Sequence, residues 1–155
     1  MSNSVNYGEL SRQLAALTAG VSHQTANLAN AAALLWQTLP DINWAGFYLR
    51  EGDILVLGPF QGKPACIEIP LGKGVCGTAA TKNETQLVPD VHLFPGHIAC
   101  DAQSQSEIVI PMLKDGVLLG VLDIDSPVKN RFDPEDEKGL ENLCQMLVQG
   151  CDWTV

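Results

Sequence analysis

The chain has 155 residues, 46% of them hydrophobic, so we expect one domain, residues 1–155, with a core of its own. Its formal net charge of −9, from 9 basic and 18 acidic residues, argues against nucleic acid or an anionic membrane surface as a partner. The N-terminal residues show no basic stretch followed by an apolar one, and no apolar run is long enough to span a bilayer. We therefore expect a cytoplasmic protein, in which permanent disulfides between its cysteines are unfavourable.

The first third of the chain predicts helices and then a hairpin. Leucines at helical spacing predict two helices between Gly8 and Leu39, the second capped by Ser22 and ended by Pro40. Aromatic and apolar residues then predict strands over 43–50 and 54–60. We expect Gly58-Pro59 and Gly62-Lys63-Pro64 to break the end of the second of these strands.

The remaining elements alternate in type. We expect a short strand over 65–69 that carries Cys66, a helix over 75–82 with Cys76 in its first turn, and a strand over 86–88. An irregular stretch over 89–105 is followed by a second hairpin, 106–113 and 117–125, and by a final helix capped by Asp133. This order predicts an α+β fold, a central antiparallel sheet flanked by helices.

Three of the five cysteines are candidates for chemistry. Cys100 lies in the irregular stretch, close to His97, and a nearby imidazole or helix N-terminus can lower the pKa of a thiol. The alternative is a small buried hydrophobe, which a free cysteine most often is. Cys66 and Cys76 are candidates for a second thiol that condenses with a sulfenic acid. Cys144 and Cys151 fit the apolar face of the last helix, and we expect them to be structural.

The cysteines could instead be ligands of a zinc ion. His92 and His97, together with three cysteines, would be enough ligands for a zinc ion. The sequence has no Cys-x-x-Cys pair, however, and its cysteines are widely spaced. We therefore expect no metal site.

Three acids cluster in the predicted second hairpin. Asp123 and Asp125 are two residues apart on one strand and so share a face, opposite Leu122 and Ile124, while Glu107 begins the partner strand. Three converging carboxylates would repel one another, so that one could keep a proton at neutral pH and act as a general acid. The alternative is a solvated sheet face. Trp44 could form the wall of an adjacent pocket or belong to the core.

Six motifs together resemble one family. They are Asn-Trp-x-Gly-Phe-Tyr (43–48), Gly-Pro-Phe-Gln-Gly-Lys (58–63), Gly-Lys-Gly-Val-Cys-Gly-Thr-Ala-Ala (72–80), Asp-Val-His-x-Phe-Pro-Gly-His-Ile-Ala-Cys-Asp (90–101), Ser-Glu-Ile-Val-x-Pro (106–111) and Gly-Val-Leu-Asp-Ile-Asp-Ser (120–126). They closely resemble the free methionine-(R)-sulfoxide reductases, and the likeness covers nearly the whole chain.

The resemblance implies a single GAF-like domain and a thiol-dependent reductase of the free amino acid, which serves the response to oxidative stress and is recycled by thioredoxin. Cys100 would be the catalytic cysteine, Cys66 the main resolving one and Cys76 a further redox cysteine. Trp44 and the three acids would bind the substrate. No cofactor is implied, and the oligomeric state is left open between monomer and homodimer. The alternative from another class is a non-catalytic GAF-like module that senses a small ligand.

Overall fold

The protein is represented by a computed structural model that describes residues 5–97 and 101–153. The elements, in chain order, are α1 (Tyr7–Thr18), α2 (Gln24–Thr38), β1 (Trp44–Glu51), β2 (Ile54–Gly62), β3 (Glu68–Pro70), α3 (Gly74–Lys82), β4 (Gln86–Val88), a 3₁₀ turn (Val91–Leu93), β5 (Ser106–Lys114), β6 (Val117–Ser126) and α4 (Pro134–Gly150). Within the described ranges, no helix is long and apolar enough to cross a membrane.

The six strands form one antiparallel sheet in the order β3-β2-β1-β6-β5-β4. The two predicted hairpins, β1–β2 and β5–β6, are confirmed, and they join through the pairing of β1 with β6 at the centre. The predicted α+β class is therefore confirmed.

Each face of the sheet has its own apolar cluster, because side chains alternate along a strand. Helices α1, α2 and α4 cover one face and form the larger cluster with inward side chains such as Phe47, Leu122 and Ile124. Helix α3 packs on the opposite face, where Val75 and Ala79 meet Tyr48 and Val121. The second face is covered by less chain, which leaves room for a pocket.

The start of α4 is tied to the rest of the helical layer by a buried carboxylate. Asp133 caps the helix as predicted, in a capping box with Asp136, and Pro134 occupies the first turn. Asp136 also accepts hydrogen bonds from the hydroxyl of Tyr7 in α1 and from Nη1 of Arg131, the latter at 3.3 Å. The charge of Asp136 is therefore paired and hydrogen-bonded.

Two local predictions were wrong, and a third was right only in part. The strand predicted over 65–69 is confined to Glu68–Pro70, so Cys66 lies in the loop before it. Strand β2 covers the predicted 54–60 and ends at Gly62 as expected, but Gly58 and Pro59 do not end it, because they face Phe47 together in a β-bulge, where a proline costs no ladder hydrogen bond. The N-cap of α2 is His23 rather than Ser22.

Candidate active site

The floor of the site is a row of side chains across the three central strands. In the sheet register Trp44 of β1 lies opposite Asp125 of β6, and Asp125 lies opposite Glu107 of β5. Asp123 occupies the next position on the same face, opposite Gly46 and Val109. The predicted shared face of the acids is confirmed, and Leu122 and Ile124 point into the helical core as expected.

The three carboxyl groups are not a solvated surface. Only 7% of Glu107 and 6% of Asp123 are exposed, and both line a pocket of about 560 Å³, including the part open to solvent, together with Asp125. Burial, followed by the charge of Asp123, raises the pKa of Glu107 and of Asp125 well above the ordinary range. Burial also raises the pKa of Asp123, against hydrogen bonds that favour its charged form. The cluster can therefore hold protons at neutral pH, as the sequence suggested.

Cys76 lies against these acids because of the way α3 meets the sheet. The helix begins at Gly74, and a Cβ on Gly77 would lie 2.7 Å from the carbonyl oxygen of Pro70, so glycine allows this close approach. The Cys76 sulfur and one carboxylate oxygen each from Glu107 and Asp123 lie within 4.8 Å of one another. Burial and the neighbouring carboxylates raise the pKa of the Cys76 thiol, so it is a poor nucleophile at rest.

Aromatic rings form one wall of the pocket and hold the loop that carries Cys66. The ring of Trp44 stacks between Tyr48 and Phe60, at centroid distances of 5.8 and 5.1 Å. Nε1 of Trp44 donates to the carbonyl of Lys63 at 3.1 Å, and the Tyr48 hydroxyl donates to the carbonyl of Cys66 at 2.9 Å. Two residues of β1 thus fix the position of the Cys66 loop beside the acids.

The segment around 101–104 also lines the pocket, and Asn43 holds it in place. Nδ2 of Asn43 donates to Oδ2 of Asp101 at 3.0 Å and to Oγ of Ser104 at 3.1 Å. Asp101, Ser104 and His97 all line the pocket. Burial lowers the pKa of His97, which favours its neutral form. The predicted nucleophile, Cys100, lies outside the described residues, but its neighbours on the chain at 97 and 101 border the acid cluster.

The structure thus brings Trp44, Glu107, Asp123, Asp125 and Cys76 together in one pocket, with Cys66 in the adjoining loop. Cys66 is disulfide-bonded, whereas Cys76, Cys144 and Cys151 are buried free thiols. The structural role expected for the last two agrees with their place in the core.

Sequence reasoning missed Tyr48, Asn43 and Ser104. Tyr48 could have been found from the alternation of β1, since it lies on the same face as Trp44. The anchoring of the 101–104 segment by Asn43 is a contact distant in sequence, for which the sequence carries no local signal.

Comparisons with known proteins decide the family. The chain matches the GAF domain family over residues 9–150. It is 58% identical over 141 residues to the free methionine-R-sulfoxide reductase of Escherichia coli, covering 91% of this chain and 86% of that protein. The chain belongs to the free methionine-R-sulfoxide reductase family.

Solved structures agree with this assignment. One is fRMsr of Staphylococcus aureus in complex with substrate, with a TM-score of 0.91 and 52% identity over 96% of this chain and 97% of that one. Another is free methionine-R-sulfoxide reductase from Neisseria meningitidis in complex with its substrate, with a TM-score of 0.89 and 45% identity over 92% and 86% of the two chains. The single GAF fold and the enzyme family expected from the motifs are confirmed.

Proposed function

We propose that this chain reduces free methionine-(R)-sulfoxide to methionine with a cysteine thiol as the nucleophile. The observation that carries the proposal is the cluster of buried Glu107 and Asp123 with half-buried Asp125 beside the Trp44 wall. Carboxyl groups with raised pKa values can give a proton to an oxygen atom, and an aromatic face suits a methyl group and an apolar side chain. The relatives named above act on this substrate.

The first step uses the acids to activate the sulfoxide. The thiolate of Cys100 attacks the sulfoxide sulfur, while a protonated carboxyl of Glu107 or Asp125 donates to the sulfoxide oxygen. As the S–O bond breaks, the OH group passes to the Cys100 sulfur, the transient bond between the two sulfur atoms breaks with its electron pair staying on the substrate sulfur, and methionine leaves. Sulfur of the substrate is reduced by two electrons, and the Cys100 sulfur is oxidised by two electrons to a sulfenic acid.

The second step restores the thiol. The Cys66 thiol attacks the sulfenic acid, water leaves, and a disulfide between Cys66 and Cys100 forms. An external dithiol, thioredoxin in the cytoplasm, then reduces this disulfide by exchange and becomes oxidised itself. The disulfide-bonded state of Cys66 supports its redox role. Cys76, with its raised pKa, is suited to act later than Cys100, as a further redox cysteine.

The proposed chemistry needs the residues of one chain, so it does not depend on whether the protein is a monomer or a homodimer. It needs no organic cofactor, because the thiols themselves carry the electrons. The acid cluster lies at the floor of a pocket that also has Trp44, Lys63 and Asp101 in its lining, and this favours a small free amino acid over the same residue in a peptide, whose flanking chain would have to pass between these walls.

Methionine release by purified protein tests this proposal. With dithiothreitol and the separate R and S free sulfoxides, we expect turnover of the R form only. Cys100→Ser should abolish even the single turnover that needs no recycling. Cys66→Ser should keep that single turnover but lose most of its thioredoxin-dependent activity. Cys144→Ser, which removes a buried free thiol in α4, is the matched control and should behave like the unmodified protein.

Release of one methionine per chain by Cys100→Ser would move the nucleophile to another cysteine. Mass spectrometry of the oxidised protein adds an independent check of the resolving residue. A link between Cys76 and Cys100 alone would exchange the roles proposed for Cys66 and Cys76. Absence of turnover on either free sulfoxide would favour the ligand-sensing alternative instead.

A further inference from the structure

Cys76 has no part in the first reduction, yet its sulfur lies among the acids on the floor of the pocket. The sulfur and one carboxylate oxygen each of Glu107 and Asp123 are all within 4.8 Å of one another. These three side chains come from α3, β5 and β6, elements far apart in the chain. A thiol this close to two carboxylates is a donor set that can serve a metal ion as well as a proton.

A fourth donor borders the same cluster. Nε2 of His97 lies 4.0 Å from Oε1 of Glu107. An imidazole nitrogen is a common metal ligand. One sulfur, one imidazole nitrogen and two carboxylate oxygens are ligands that zinc accepts in tetrahedral sites.

The distances between these ligand atoms fit a reversible metal site rather than a tightly coordinated structural one. Zinc bonds of about 2.0–2.3 Å place tetrahedral ligands about 3.3–3.8 Å apart, so the ligand atoms of Cys76, Glu107 and Asp123, which lie within 4.8 Å of one another, would have to close in by about 1.5 Å at most. The two acids can make such a movement by rotating their side chains, and His97 would turn its imidazole towards them. A reversible site is therefore expected, not one that holds the fold together.

A second observation indicates a cation here. Oδ1 of Asp123 is buried and, apart from protons that Glu107, Asp125 and Cys76 can share with this carboxylate, has no hydrogen-bond partner among the residues that the structure describes. Asp123 itself is only 6% exposed, so water cannot easily compensate for the missing bond. A cation at the cluster would satisfy this oxygen and offset the repulsion among the carboxylates.

We propose that the pocket reversibly binds a thiophilic divalent cation of the zinc type through Cys76, Glu107 and Asp123, with His97 as the fourth ligand. Because two of these ligands are also proposed to contact the sulfoxide, the cation and the substrate exclude each other. This second part, and only this part, rests on the proposed function. The cation would act as an inhibitor that links metal availability to sulfoxide reduction.

Cadmium is a suitable probe, since its bond to a thiolate has an ultraviolet charge-transfer absorption that needs no turnover. The experiment uses the full chain with Cys66→Ser and Cys100→Ser, so that the other two cysteines with a proposed redox role cannot bind the ion. We expect one cadmium per chain, with release of protons from the ligands. Adding Cys76→Ser should abolish the absorption and weaken binding by more than about 100-fold, since even outer-shell changes cost 10–100-fold.

Three controls make the result specific. Cys144→Ser in the same background removes another buried thiol and should leave cadmium binding unchanged. Asp123→Asn should weaken binding while thermal unfolding shows a folded protein. Zinc should displace cadmium, whereas magnesium should not, because magnesium does not favour sulfur.

The outcomes separate the metal site from the proposed reaction. Cadmium absorption that survives Cys76→Ser, or that disappears with Cys144→Ser, would overturn the metal site. Displacement of cadmium by free methionine-(R)-sulfoxide supports both proposals. If cadmium binds through Cys76 but the sulfoxide never displaces it, the metal site stands and the substrate pocket of the proposed function is refuted.

Discussion

Buried carboxylates occur on both sides of the sheet, and their surroundings differ. Asp136, in the helical layer, is 1% exposed and has the hydroxyl of Tyr7, the guanidinium of Arg131 and the backbone N–H of Asp133 as partners. Asp123, on the pocket side, is 6% exposed, faces two other acids and, apart from protons shared with its neighbours, keeps Oδ1 unpartnered among the described residues. The carboxylate of Asp136 is neutralised by its partners at the start of α4. The carboxylate of Asp123 is left available to a ligand.

This difference predicts that Asp136 contributes to stability, whereas the acids around Asp123 contribute to function. Removing one partner of a buried, hydrogen-bonded charge is costly, because the other partner stays buried and alone. Removing one of several repelling acids relieves an unfavourable arrangement. Changes of the same chemical kind, from acid to amide, should therefore have opposite consequences in the two regions.

The largest effect is expected on the pocket side. Glu107→Gln and Asp125→Asn keep the shape of the side chain but remove the transferable proton, so we expect methionine formation to fall about 10²–10⁴-fold. Initial rates with dithiothreitol as reductant measure this. Asp115→Asn, in the turn between β5 and β6, is the matched control. Rates near those of the unmodified protein in both amide variants would mean that the acids only line the wall.

The next effect is expected at the start of α4. Asp136→Asn leaves the buried guanidinium of Arg131 without its countercharge, and we expect a loss of about 3–5 kcal/mol in the free energy of unfolding. Denaturant unfolding measures the loss. Glu9→Gln, which breaks the exposed Glu9–Arg12 pair, should cost at most about 1 kcal/mol. Activity per folded molecule should not change, and a specific loss of activity would connect the two regions.

The smallest effect concerns pH. The pKa of Glu107 is raised in the folded protein, so the folded state binds this proton more tightly than the unfolded state does. The associated stability is complete below the ordinary value of 4.5 and is lost as pH rises towards the folded pKa. The slope is at most about 1.4 kcal/mol per pH unit for one proton. Unfolding curves at several pH values should show a shallower slope for Glu107→Gln, and an unchanged slope would exclude the buried proton.

Local patterns predicted much of this molecule. Asp123 and Asp125 share a face because strand side chains alternate, and Asp133 caps α4 because a side-chain oxygen can satisfy its first N–H groups. The strand assigned to Cys66 was wrong, since hydrogen bonding across the sheet, and not local preference, decides where β3 begins. The burial of the acids depends on where α3 packs, which no local pattern encodes.

The motifs predicted the family, and the comparisons confirm it. They could not predict that Cys76 would lie against the carboxylates, because that contact brings together three elements distant in sequence. The roles of Cys66, Cys76 and Cys100 remain predictions to be tested by the variants above.

The row formed by Trp44, Asp125 and Glu107 crosses the three strands with partners on both sides. Amide hydrogens of such central strands exchange with solvent only through the rarest, most global opening of a domain, whereas loops open often and at little cost. We therefore expect the backbone beneath the pocket floor to keep its pairing until the domain unfolds. Entry and departure of small molecules should then depend on the segments around 63–66 and 101–104, which side-chain hydrogen bonds, rather than strand pairing, hold beside the row of acids.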